Sequence, residues 1–67
     1  MSVDVRLGGI PCRVEGFELA GPGGVHRVWD RISSPRTGML LPPELLGLPG
    51  WLDVELRAEA EYRGQFR

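Results

Sequence analysis

The 67-residue chain has no lysine and no asparagine, a single cysteine and a single histidine. One cysteine excludes a disulfide within the chain, and Cys12 with His26 falls short of the four Cys or His ligands that a structural zinc site requires. A chain this short buries only about 60% of the surface that its unfolded form exposes, so its own core is marginal. We therefore expect no cofactor and either an efficient core or support from partner chains.

The chain also lacks an excess of charge of either sign. Eight basic residues, all arginine, and nine acidic residues give a formal net charge of −1, which calls for neither nucleic acid nor an anionic membrane as partner. No apolar run approaches the roughly 18 residues of a membrane span. Residues 1–6 do not show the apolar stretch of a signal peptide. The expected location is cytoplasmic or virion-associated, without secretion by a signal peptide.

The strongest pattern that is present lies at the C-terminus, where apolar and charged residues alternate. This alternation has the period of a strand with one buried face. The composition favours a helix, but a helix would spread the apolar positions around its circumference, so the sequence predicts a strand. The apolar residues are the even positions Leu52, Val54, Leu56, Ala58, Ala60, Tyr62 and, after Gly64, Phe66.

Alternation also marks the N-terminal half as strands joined by glycine turns. Apolar residues alternate over 3–7, and Gly8 and Gly9 follow as a turn. The apolar parity then switches at Gly16, which predicts a β-bulge. A glycine-rich loop over 20–24 joins a hairpin. Residues 25–32 fit a helical face or a strand, and their β-branched residues and tryptophan favour a strand.

The remaining segments complete a small β fold. The sequence predicts a short strand over 39–41, a single helical turn between Pro42 and Gly47, and a turn at 49–50. The predicted fold is mostly β, a single domain over residues 1–67. It is a small antiparallel barrel or sandwich, SH3-like or OB-like in outline, of four to five strands with one short helical turn before the last strand.

No constellation of residues indicates catalysis. Cys12 shares the parity of Ile10 and Val14, which is typical of a buried small hydrophobe and not of a nucleophile. Ser33 and Ser34 lack an elbow motif, and the glycine clusters lack the spacing of a phosphate loop. We predict that the chain is not an enzyme and has no catalytic, cofactor-binding or metal site.

One candidate binding stretch combines arginine with tryptophan. Arg27, Trp29, Arg31 and Arg36 lie within ten residues of one another. Arginine and tryptophan are the residue types most enriched at interface hot spots, and they also suit stacking on single-stranded nucleic acid. The competing interpretation places Trp29 in the core.

Two further candidates lie near the C-terminus. Glu55, Glu59 and Glu61 would share one face of the predicted strand with Asp53, either as a functional acidic face or as a solvated face that pairs with arginines of a neighbouring strand. Trp51 ends a proline-framed segment that serves either as a lid over the barrel or as an apolar patch for a partner.

These features favour a non-enzymatic protein-interaction module. The expected role is a small structural or assembly component of a larger complex, such as a phage or virion adaptor, decoration or tail protein, with protein partners or as a homo-oligomer. An alternative is a small inhibitor of a host complex, for example an antagonist of a defence system that mimics nucleic acid. A second alternative is a barrel that binds single-stranded nucleic acid, against which the net charge argues.

Overall fold

A computed structural model describes residues 1–48 and 50–65 of the chain. It contains three strands, β1 (Ser2–Leu7), β2 (Ile10–Gly21) and β3 (Gly24–Ser33), then a 3₁₀ helix over Pro43–Leu46 and a helix α1 over Trp51–Gly64. The strands form one antiparallel sheet in the order β1-β2-β3. The prediction of a mostly β fold is confirmed. The sheet is open with three strands, however, and the described residues form neither a closed barrel nor a fourth or fifth strand.

Glycine turns join the three strands. Gly8 and Gly9 have φ angles of 58° and 79°, a backbone that glycine adopts without steric cost and that matches the twist of the flanking strands. The second hairpin closes at the pair Gly21 and Gly24. The ambiguous segment 25–32 lies within β3, as the sequence predicted.

A bulge interrupts the pairing of β2 with β3 at Gly16, where the sequence predicts one, although the extra residue lies on β3 and β2 itself keeps its parity. Glu15 pairs with Arg31 and Gly16 pairs with Trp29, so Asp30 is an extra residue on β3. A Cβ atom on Gly16 would lie 2.0 Å from the carbonyl oxygen of Val28. Glycine is therefore required here by the close approach of the two backbones.

The core lies between one face of the sheet and α1. The strands provide most of its buried side chains, and Ala58 on α1 is small enough to let the helix approach the sheet closely. Trp29 belongs to this core, on the sheet face that it reaches because of the bulge. The buried apolar residues are Val3, Leu7, Cys12, Val14, Trp29, Ile32, Leu46, Val54 and Ala58.

The predicted C-terminal strand is wrong, because the described part of this segment is the helix α1. Val54 and Ala58 are buried and Tyr62 is half-buried, and this spacing of four residues is that of one helical face. Leu52 and Leu56 repeat the same spacing two residues earlier but are 67% and 60% exposed. Two stripes with a period of four, offset by two, produce an alternation that imitates a strand. Phe66 lies outside the described residues.

The segment between β3 and α1 agrees only in part with the structure that the sequence predicts. The predicted strand over 39–41 is reduced to one isolated bridge between Ser33 and Leu40. The predicted helical turn is present as the 3₁₀ helix, and Gly47 ends it with a left-handed φ of 68°. The turn predicted at 49–50 includes Pro49, which lies outside the described residues. Among the described helices, none has the length and apolar character needed to cross a membrane.

The bulge gives a direct test of the fold. We expect Gly16→Ala to lower the free energy of unfolding by about 1–3 kcal/mol, because the added methyl group must displace the backbone of Val28. Gly23→Ala in the same hairpin is the matched control, since its Cβ would meet nothing within 4 Å. Urea denaturation followed by circular dichroism measures both. Equal stability of the two variants would contradict the described register.

Candidate functional site

The carboxylate of Glu59 on α1 binds three side chains. Arg27 on β3 donates from Nε to both carboxylate oxygens at 3.0 Å, and its Nη2 donates to Oε2 as well. The indole Nε1 of Trp29 donates to Oε1 at 3.2 Å, and Nε of Arg63 donates to Oε2 at 2.9 Å. Glu59 thus joins the helix to the outer strand of the sheet.

Aromatic contacts fix the same residues from the other side. The ring of Tyr62 meets the ring of Trp29 edge to face, with centroids 5.6 Å apart. The guanidinium of Arg27 lies 5.0 Å from the Tyr62 ring centroid, within the range of a cation–π contact. Nε1 of Trp51 donates to the backbone oxygen of Trp29 at 2.8 Å. Trp29 and Arg27 are therefore held by the protein itself.

The ion pairs strongly favour the charged form of Glu59. The hydrogen bonds from Arg27 lower the pKa of Glu59 from its ordinary value of 4.5 to about 2, against the opposing effect of burial, with smaller contributions from Trp29 and Arg63. The same hydrogen bonds raise the pKa of Arg27. Two arginines share one carboxylate, so much of the local charge is neutralised within the protein.

The structure does not bring all the predicted site residues together. Arg31 is exposed and lies opposite Glu15 in the ladder of β2 and β3. Arg36 is exposed in a turn. In that turn the Ser34 hydroxyl accepts the backbone N–H of Arg36 at 3.3 Å. The only predicted residues gathered around Glu59 are Arg27, Trp29 and, through the Trp29 backbone, Trp51.

The predicted common acidic face depended on a strand and is wrong. On α1, Glu55 and Glu59 are one turn apart, whereas Glu61 is rotated about 200° from Glu59. Glu59 is paired, and Glu55 and Glu61 are exposed. One of the two interpretations paired these carboxylates with arginines of a neighbouring strand; the structure pairs Glu59 with Arg27, but from a helix and not from a strand.

A groove of about 300 Å³ runs between β3 and α1. Three aliphatic side chains give the groove its apolar surface: Val25 on β3 is 59% exposed, and Leu52 and Leu56 on α1 are 67% and 60% exposed. Glu55, Glu59 and Arg63 line the helical side as well. We call this surface the β3–α1 groove.

The strand that borders this groove has a free edge. The backbone N–H of Gly16 donates to Met1 at 3.0 Å, so Gly16 directs its backbone groups away from β3. Its partner Trp29 therefore directs its own backbone groups outward, as its bond with Trp51 shows. Because these directions alternate along an antiparallel strand, Arg27 and Val25 also direct their backbone N–H and C=O groups outward.

Other segments cover the rest of this edge. The backbone oxygen of Ile32 accepts from Leu41 at 2.9 Å, and the N–H of Ser34 donates to Met39 at 2.9 Å. For the outward backbone groups of Val25 and Arg27, the described residues provide no partner. The β3–α1 groove therefore combines exposed aliphatic side chains with unpaired strand backbone.

Sequence reasoning missed the three aliphatic residues of the groove. The alternation places Leu52 and Leu56 on the buried face of a strand, and Val25 belongs to a segment for which the sequence favours a strand over a helix. The signal that identifies the two leucines is their spacing of four residues, which places them on one side of a helix beside the buried stripe. Val25 joins them only through the folding of β3 beside α1.

The cysteine and the histidine of the chain lie outside the Glu59 cluster. Cys12 is 1% exposed, and burial raises the pKa of its thiol, which disfavours the reactive thiolate. His26 is exposed on β3. Within residues 1–48 and 50–65, no three His, Cys, Asp or Glu side chains are arranged to hold a metal ion.

Comparison of the chain with protein-family models, with curated proteins and with solved structures found no match.

The Glu59 cluster predicts a pH-dependent stability. With a folded-state pKa of about 2 against an ordinary 4.5, the stabilisation by Glu59 is complete above about pH 4.5 and declines as the pH falls toward 2. We expect Glu59→Gln to be less stable than the wild type near neutral pH, with the difference shrinking below pH 4.5. Denaturant unfolding of both proteins from pH 2 to 7 measures this difference.

The control for this series is Glu55→Gln, one helical turn away. Glu55 is exposed and forms no ion pair with the described residues, so the change should alter stability by less than about 0.5 kcal/mol at neutral pH. A pH-independent difference between the wild type and Glu59→Gln would refute the role of the Glu59 charge.

The buried thiol gives a second prediction. Cys12 should not react with a thiol-specific reagent in the folded protein and should react fully after denaturation, because burial disfavours its thiolate. Leu19→Cys supplies the reference, since position 19 is 52% exposed and its new thiol should be labelled at once. Rapid labelling of Cys12 without denaturant, followed by mass spectrometry, would contradict the buried position.

Proposed function

We propose that this chain is a non-enzymatic protein-interaction module that accepts a further β-strand in the β3–α1 groove. The observation that carries the proposal is the unpaired backbone of Val25 and Arg27 directly beside the exposed Leu52 and Leu56. Strand addition obtains affinity from main-chain hydrogen bonds and specificity from pockets for alternate side chains. The groove supplies both kinds of contact to an extended protein segment.

The contrast between the two edges of the sheet supports this choice. Along β1 the outward backbone belongs to residues with polar or charged side chains, including Asp4 and Arg6, and Asp4 binds Arg13 of β2 at 3.0 Å. Charged residues are a common protection of strand edges against pairing with other chains. On β3 the free stretch begins at Val25, and the charge of Arg27 is already taken by Glu59.

The hairpin arm beyond β1 also favours a partner. β1 pairs with β2 only as far as Glu15, so residues 17–28 form a two-stranded ribbon. Its exposed apolar side chains lie on both faces, with Phe17 and Leu19 on one face at 45% and 52% exposure and Val25 on the other at 59%. A two-stranded ribbon is only marginally stable in water unless a third strand or a helix supports it. An added strand along β3 would support the ribbon further, beyond its contact with α1 through Arg27 and Glu59.

The setting that we propose is a structural or assembly component of a larger complex. A chain of 67 residues with a small core and an exposed edge is suited to a role in which partners complete its fold. Adaptor, decoration and tail proteins of phages and virions are the particular examples that we propose.

The alternative functions have less support. Nucleic-acid mimicry required one continuous acidic face, and on α1 the three glutamates do not share a face. Binding of single-stranded nucleic acid required Arg27 and Trp29 to be available, but Trp29 is 3% exposed and Arg27 binds Glu59.

The test of this proposal is the double variant Leu52→Glu with Leu56→Glu. Both side chains are exposed and glutamate favours helices, so the fold should be retained while the apolar surface of the groove becomes charged. We expect association to weaken at least tenfold. The measurements are light scattering behind size exclusion over a range of concentrations, for self-association, and selection of random displayed peptides, for foreign strands.

The matched control is Met39→Glu with Leu40→Glu, which places the same two charges on residues 68% and 65% exposed outside the groove. This variant should associate like the wild type. The proposal fails if the groove variant associates as strongly as the control, or if the wild type neither self-associates nor selects peptides.

A further inference from the structure

We infer that the strand added to β3 is β3 of a second copy of this chain, related by a two-fold axis at His26. This inference rests on the proposed function of the β3–α1 groove. The two three-stranded sheets would then join edge to edge into one antiparallel sheet. Both α1 helices would lie on the same face of it.

The hydrogen-bonding groups of the edge allow only one register. Two antiparallel copies of β3 must pair outward-facing residues with each other, and those are Val25, Arg27 and Trp29. A pairing centred on Arg27 would need the backbone of Trp29, whose oxygen is occupied by Trp51. A pairing centred on Val25 would need Gly23, which lies in the turn. The pairing centred on His26 remains, with Val25 of each copy opposite Arg27 of the other.

This register also avoids a charge conflict. Centring on Arg27 would place two arginines directly opposite each other, an arrangement that destabilises strand pairs. Centring on His26 places Arg27 opposite a valine, and its guanidinium stays on Glu59 of its own chain. No new unpaired charge is buried when the two edges meet.

The helices complete a self-complementary surface. Leu52 and Leu56 line the same groove as Val25 and Arg27 of the edge strand. A two-fold axis at that edge therefore brings the leucine stripes of the two copies to the same face of the joined strands. A two-fold interface requires each patch to fit its own copy. Here the patch contains both the strand that is donated and the groove that receives it, which favours a second copy over a foreign segment.

An introduced cysteine at the axis tests this geometry. In the inferred register the two His26 residues form a non-hydrogen-bonded pair, with Cα atoms about 4.5 Å apart, within the roughly 4.4–6.8 Å that a disulfide requires. We expect His26→Cys to form a disulfide between two chains under mild oxidation. The product would have twice the 7.4 kDa mass of the chain, and peptide mapping would show position 26 joined to itself.

Two controls separate this result from random oxidation. The wild type retains Cys12, which is buried and should not cross-link. Leu19→Cys carries an exposed thiol on the residue that pairs with His26 on β2. In the joined sheet the two copies of position 19 would be three strand spacings apart, about 14 Å. Leu19→Cys should therefore cross-link at least tenfold more slowly than His26→Cys.

The outcomes distinguish this inference from the proposed function. If His26→Cys stays monomeric, or if Leu19→Cys cross-links equally fast, the second copy is not the partner. If in that case the wild type still selects extended peptides and the Leu52 and Leu56 variant does not, the groove remains an interaction surface for a foreign strand. If cross-linking of His26→Cys is lost when Leu52→Glu and Leu56→Glu are added, the result supports both the groove as the interaction surface and the second copy as its partner.

Discussion

The carboxylate of Glu59 connects the two halves of this fold. Its ion pair with Arg27 and its bond from Trp29 attach the distal half of the β2–β3 hairpin to α1, at a level of the sheet that β1 does not reach. Below that level the apolar core holds helix and sheet together. Above it, without Glu59, the distal half of the β2–β3 hairpin would be held only by the hydrogen bonds between its own two strands. The position of the distal half of the hairpin relative to α1, and with it the shape of the groove, therefore depends on one partly buried ion pair and the aromatic rings that enclose it.

The same cluster decides what kind of surface the groove presents. Because Arg27 and Arg63 both bind Glu59, the charges nearest the free edge are satisfied within the chain. Backbone and the aliphatic side chains of Val25, Leu52 and Leu56 remain open to a partner, with the exposed carboxylate of Glu55 beside them. A surface of this kind suits an extended polypeptide, whose N–H and C=O groups match a strand edge in any sequence, and it offers few contacts specific to phosphate or base.

The sequence predicted the local features of the fold and missed the features that depend on assembly. The turn at Gly8 and Gly9, the bulge at Gly16 and the helical turn ending at Gly47 were predictable, because glycine and proline act through the backbone of their own neighbourhood. The helix α1 was not, because its exposed leucine stripe and its buried stripe together imitate a strand. The pairing of Arg27 with a carboxylate was anticipated, but the geometry of the groove needs the register of β3 and the position of α1 together.

The bulge at Asp30 determines which face of the sheet each side chain of the distal part of β3 occupies. From Trp29 to Val25, the extra residue determines which side chains face α1 and which face away. If Asp30 instead paired with Gly16 in a ladder without a bulge, Val28 and His26 would face the helix, and Trp29 and Arg27 would face the opposite surface. The bulge therefore places Arg27 and Trp29 on the helix side of the sheet, and a regular ladder of the same residues would present a different surface there.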